Sequence, residues 1–135
     1  MKKSNAKCEF ASQRSQLLIK NFQESIARQS KISINKACKD AVAAPAPRFW
    51  VSEARATRIV SMIMKGEKVL DGMHLQKRKM YLEIYERVKA KKEANPELPL
   101  GDIVFDVVNS PAPSFYITID YARKLLKSQQ NSGKV

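Results

Sequence analysis

Residues 32–61 and 98–127 are two copies of one segment, held at a constant offset of 66. Residues 44–52 read Ala-Pro-Ala-Pro-Arg-Phe-Trp-Val-Ser, and residues 110–118 read Ser-Pro-Ala-Pro-Ser-Phe-Tyr-Ile-Thr. Seven of the 30 aligned positions are identical, and three of these (Asp40/Asp106, Val42/Val108, Ala56/Ala122) lie outside the proline motif, so the copying extends into its flanks. A duplicated segment is expected to keep its fold in both copies, which fixes the unit of organisation before any motif is read.

The repeat has a helical rhythm. Leu18, Ile19, Phe22 and Ile26 follow i, i+1, i+4, i+8, and Met80, Tyr81, Ile84 and Val88 repeat that spacing at an offset of 62. Such spacing marks one face of a helix, so a first helix is predicted over about residues 15–29. The offset grows from 62 to 66, so the second copy holds four more residues. The helix-breaking sequence Ala94-Asn95-Pro96 assigns them to a loop. A second helix opens at the N-cap candidate Ser33, with apolar positions Ile34, Ala37, Cys38, Ala41 and Val42. Its copy carries Leu100, Ile103, Val104, Val107 and Val108. The β-branched run at Ile103 and Val104 resembles a strand, but its partner Ala37-Cys38 favours helix. Pro45 and Pro111 end these helices, because proline biases the residue before it to extended geometry. Ser52 and Thr118 then stand where they cap a third helix.

The prediction is an all-α fold of two tandem three-helix units packed together, helix-turn-helix-like in layout. A flexible basic arm covers residues 1–14, the first unit 15–66, a linker 67–74, the second unit 75–127 and a disordered tail 128–135. Leu70 and Met73 are expected to tuck the linker against the core.

Charge narrows the function. Lys and Arg number 25 and Asp and Glu 13, a formal charge of +12. That excess favours acidic polymers or anionic surfaces as partners. Three-helix units with a capped last helix resemble the layout that places a helix in the DNA major groove, although the connector is longer than the usual turn. The polar faces of the third helices offer Arg55, Arg58 and Lys65 in the first copy and Arg123, Lys124 and Lys127 in the second. Arg58 and Lys124 are the aligned pair. Lys77, Arg78 and Lys79 form a further cluster, less neutralised by acids than the rest of its helix, where Glu83 precedes Arg87 by one turn. Arg48 adjoins the aromatic connector, but its partner is Ser114. These ten basic residues are the candidate nucleic-acid contacts, with DNA favoured over RNA, and their ordinary alternative is a solvated helix face.

Phe49-Trp50 and Phe115-Tyr116 recur at one repeat position. They suit base stacking, but a proline-rich connector needs apolar anchors, and a core role is preferred. Asp40 and Asp106 sit late in the second helix, where bonding to the connector backbone is preferred to catalysis. His74, the single histidine, has no nucleophile or carboxylate constellation beside it. Cys8 and Cys38 show no metal-ligand or disulfide spacing. The four glycines form no phosphate-binding loop. The chain is therefore expected to be non-enzymatic, with no cofactor, metal or small-molecule substrate. A polar start and the lack of a long apolar run predict no leader, no membrane span, and a cytoplasmic protein of a host cell or a phage particle.

The connector resembles that of small, basic, uncharacterised bacterial and bacteriophage-borne proteins, which carry P-A-P-[RK]-F-[YW]-[VIL]-[ST] twice. Pro45 to Ser52 match, and Pro111 to Thr118 match except at Ser114. The resemblance spans about residues 32–127 and implies a setting in phage or mobile DNA. It also keeps open a second function: a structural or packaging protein of such an element, binding an acidic protein partner or associating with itself.

Overall fold

The prolines end helices, and the chain leaves them extended. The computed structural model describes residues 10–133. Six helices follow in order among these residues: α1 (Ala11–Arg28), α2 (Ile34–Ala43), α3 (Glu53–Met64), α4 (Leu75–Ala94), α5 (Leu100–Val108) and α6 (Ile119–Gly133). The protein is all-helical, and Ile103 and Val104 lie in α5 as their repeat partners require.

Three boundaries differ from the sequence reading. Residues 11–14 of the expected arm form the start of α1, while residues 1–9 lie outside the described residues. Residues 128–133 of the expected tail continue α6. The four extra residues of the second copy are helical. The α1–α2 loop (29–33) and the α4–α5 loop (95–99) are both five residues long, and α4 runs four residues further than the register of α1 predicts. Four residues are close to one helical turn, so the insertion lengthens α4 while nearly preserving the direction of its apolar face.

Capping explains where the helices begin and end. Ser33 Oγ accepts from the Lys36 amide at 3.2 Å and Ser52 Oγ from the Arg55 amide at 3.2 Å. Thr118 Oγ1 accepts from the Tyr121 amide at 3.0 Å. Each satisfies an amide that the helix cannot. At the other end of α3, Gly66 takes φ +84°. The Gly66 amide donates to Ile63 O (2.9 Å) and the Glu67 amide to Met62 O (3.0 Å), a pair of bonds that stops the helix.

Packing crosses the sequence order. α1 packs on α2 and α6, whereas α4 packs on α5 and α3; α3 also contacts α5, and α6 contacts α2. α3 thus lies on α4 and α5, and α6 on α1 and α2. The connectors carry the chain across. Ala46 and Ala112 form an antiparallel bridge, with amide-to-carbonyl distances of 2.9 and 2.8 Å. The Phe49 amide donates to Val108 O and the Phe115 amide to Val42 O, both at 3.0 Å. The last two bonds correspond under the offset of 66, since Phe49 aligns with Phe115 and Val42 with Val108.

Side chains seal the crossing. Phe49 and Phe115 are fully buried. Phe49 stacks on Tyr116 with ring centroids 6.1 Å apart, and Phe115 meets Trp50 at 5.7 Å. Burying each Phe contributes roughly 1.5–3 kcal/mol, which matches the anchoring role preferred from the sequence. The core continues through Leu18, Ala41, Val60, Tyr81, Ile84 and Val104. Leu70 and Met73 of the linker pack against it as anticipated. α1 and α2 pack together, and the buried residues of α2 (Ala37, Cys38, Ala41) are small. The buried Ser25 hydroxyl donates to Asp40 Oδ2 at 2.6 Å. Asp40 therefore anchors α2 to α1 and not to the connector backbone, and this bond, with Lys36 nearby, holds its carboxyl below the usual range.

Candidate nucleic-acid interface

The fold and an external phosphate compete for the donors of each cation. Arg48 is half-buried. Its Nε donates to Phe49 O (2.9 Å), its Nη2 to Val51 O (2.8 Å) and its Nη1 to Asn109 Oδ1 (3.2 Å). Its guanidinium also lies 4.0 Å from the centre of the Phe10 ring. At the aligned position Ser114 Oγ accepts from the Tyr116 amide at 3.2 Å, and Tyr116 takes φ +56°. A left-handed Tyr costs about 1–2 kcal/mol, so the two connectors differ where arginine is replaced by serine.

Arg123 is engaged too. Its Nη1 bonds Asp120 Oδ1 at 3.1 Å and its Nη2 bonds Asn35 Oδ1 at 2.6 Å, which ties α6 to α2. It also faces Cys38, a buried free thiol; burial raises that thiol's pKa and Arg123 opposes the rise. Cys8 lies outside the described residues. Arg78 is half-buried and donates from Nη2 to Met73 O at 3.2 Å, turning away from its exposed neighbours Lys77 and Lys79. Successive helix residues turn by about 100°, so the cluster at 77–79 cannot share one face.

The remaining candidates are exposed: Arg55, Arg58 and Lys65 on or just after α3, Lys77 and Lys79 on α4, and Lys124 and Lys127 on α6. Arg55 and Arg58 come together beside Tyr81 of α4. Burial pushes the Tyr81 hydroxyl above its ordinary pKa, and the two guanidinium groups oppose this, Arg55 through a hydrogen bond. α6 carries a related pair with the roles reversed: Arg14 of α1 donates to the Tyr121 hydroxyl at 3.2 Å and lies 5.4 Å from its ring centre. Tyr121 stands at the aligned position of Arg55. The sequence reading missed Arg14, and only the docking of α1 on α6 brings it there.

Internal neutralisation is local. Among the described residues the ion pairs are Lys36–Asp40, Glu83–Arg87 and Asp120–Arg123, each spanning one helical turn. The Glu83–Arg87 pair was legible from its spacing. Its further bonds were not: Arg87 Nη1 also reaches Pro111 O at 2.9 Å, and its guanidinium lies 5.0 Å from the Phe49 ring centre. At the end of α4, Lys92 Nζ bonds Pro96 O and Leu98 O at 2.9 and 2.7 Å.

Cationic character is uneven. α5 holds no Lys or Arg, and its exposed face presents Asp102, Phe105 and Asp106. The aligned face of α2 presents Lys36 and Lys39. Between α2 and the start of α6 lie two adjoining open grooves of about 410 and 500 Å³ that share Lys39, Thr118 and Ile119. Among the described residues no group of three His, Cys, Asp or Glu side chains is placed to hold a metal ion, and no helix is long and apolar enough to cross a membrane. Comparison with protein-family models, with curated proteins and with solved structures found no match.

Proposed function

We propose that the chain is a non-enzymatic nucleic-acid-binding protein, DNA favoured, that grips phosphates through the exposed cations of α3, α6 and the start of α4. We further read it as two duplicated three-helix, helix-turn-helix-like units that have exchanged their third helices. The observation that carries the binding reading is the placement of an exposed cation at a cost to the fold. Lys77 lies in the first turn of α4, which contains no acid. The helix dipole disfavours positive charge there, so stability does not account for it. Lys91 and Lys92, by contrast, sit in the last turn, where the dipole favours them.

The mechanism is counterion release. Each Lys or Arg that meets a phosphate displaces condensed cations, so affinity falls with salt with a log–log slope of about −0.9 per contact on duplex DNA. Titration with duplex DNA, single-stranded DNA and RNA at several salt concentrations tests the reading. A steep negative slope supports it, and weak, salt-indifferent binding to all three overturns it.

A structural or packaging protein that meets another protein is the second reading. Its support is the exposure of large apolar side chains, Phe105 at 54% and Leu75 at 56%, which a partner protein would cover. Concentration-dependent self-association without nucleic-acid binding is the outcome that favours it.

A further inference from the structure

Strandedness is the property of the ligand on which the crossing bears. The connector bonds come in reciprocal pairs: Ala46 with Ala112 in both directions, and Phe49–Val108 matched by Phe115–Val42. The aromatic contacts do the same, Phe49–Tyr116 matched by Phe115–Trp50. Reciprocal contacts between aligned residues are the signature of an isologous, two-fold interface. The two halves of this one chain are therefore related by a local two-fold axis through the Ala46–Ala112 bridge. Such an axis cannot place related elements at its opposite ends. It sets α3 and α6 at the same level and on opposite sides of the axis.

Charge then selects which related positions matter. The second helices cannot act as a pair, because Lys36 aligns with Asp102 and Lys39 with Phe105. The first helices carry their cations out of register, Lys20 aligning with Leu82 and Lys77 with Ser15. Among the described residues Arg58 and Lys124 are the one aligned pair that is basic in both halves. Both are exposed, and both stand six residues after an N-cap that bonds its helix, Ser52 or Thr118.

We infer that the ligand is a double-stranded nucleic acid, bound by a single chain with Arg58 and Lys124 on its two antiparallel strands and the protein's axis along a local dyad of the duplex. The physical reason is directional. A single strand runs one way and has no two-fold axis, so it cannot meet two dyad-related cations in the same manner. The backbones of a duplex run oppositely and have such axes along their length. One chain thus does what symmetric DNA-binding dimers do with two. The inference rests on the phosphate-grip reading and adds strandedness, stoichiometry and the equality of two contacts.

The test compares a short duplex with a single strand of equal length, using the full chain and the variants Arg58→Ala, Lys124→Ala and the double variant. Thermal melts of each variant, matched to wild type, establish that these surface changes leave the fold intact. The expected result is one chain per short duplex and tighter binding to duplex than to single strand. Each single variant lowers the salt slope by about one, and the double variant by about two. Salt-dependent binding in which the single strand equals or exceeds the duplex overturns the inference and leaves the phosphate-grip reading standing. So do two chains per short duplex, or a loss confined to one of the two variants. Absence of salt-dependent binding to either ligand overturns both.

Discussion

Arg48 and Arg58 have the same charge and opposite fates, and the difference lies in what surrounds each. Arg48 sits where the connector leaves its own carbonyls unpaired by helix, and it takes up Phe49 O and Val51 O. Arg58 lies on an exposed helical face whose carbonyls are already bonded along the helix. Sequence could prefer Arg58 for its aligned basic partner Lys124 but could not show what captures Arg48, because Asn109, one of its acceptors, is distant in the chain. The same is true of Arg123, whose Asn35 partner is 88 residues away. Removing Arg48 takes the donor from Val51 O, while Phe49 O keeps the Val51 amide at 2.9 Å, and the lost bond costs about 1–3 kcal/mol. Arg48→Ala is therefore expected to lower the free energy of urea unfolding by an amount in that range while leaving the salt slope of nucleic-acid binding at its wild-type value. A changed slope with unchanged stability would return Arg48 to the interface.

Elements were more legible than contacts. Caps, breakers and apolar spacing act within a few residues, so Ser33, Ser52 and Thr118 announced the starts of α2, α3 and α6. Pro45 and Pro111 announced the connectors. The repeat settled α5, whose β-branched composition alone points to a strand. The same logic failed for the inserted turn, because Ala94-Asn95-Pro96 marks where α4 ends and not where its length was gained. The caps of α3 and α6 should matter equally. Ser52→Ala and Thr118→Ala are each expected to cost about 1 kcal/mol, measured by chemical denaturation. A loss at one site only would show that the two third helices are not equivalently held.

At the scale of the molecule, α3 packs on α4 and α5 and α6 packs on α1 and α2, so buried surface as well as the linker joins the two ends of the chain. Phe49 and Phe115 are buried where the two connectors meet. A protease site placed at the exposed Asp71-Gly72 step is thus expected to yield two fragments that co-elute under native conditions and separate in denaturant. Fragments that part without denaturant would contradict the exchange.

The boundary between what was readable and what was not follows the range of the forces involved. Helices, caps, the duplicated unit and the anchoring aromatics are written in spacing and local chemistry, so the chain alone specifies them. The partner of each third helix is not written there. Two near-copies present similar apolar faces, and α3 could have closed on either. The extended connectors pair Ala46 with Ala112 and lead α3 to α4 and α5, and α6 to α1 and α2. The same crossing determines which cations are consumed inside the fold and which remain outside it.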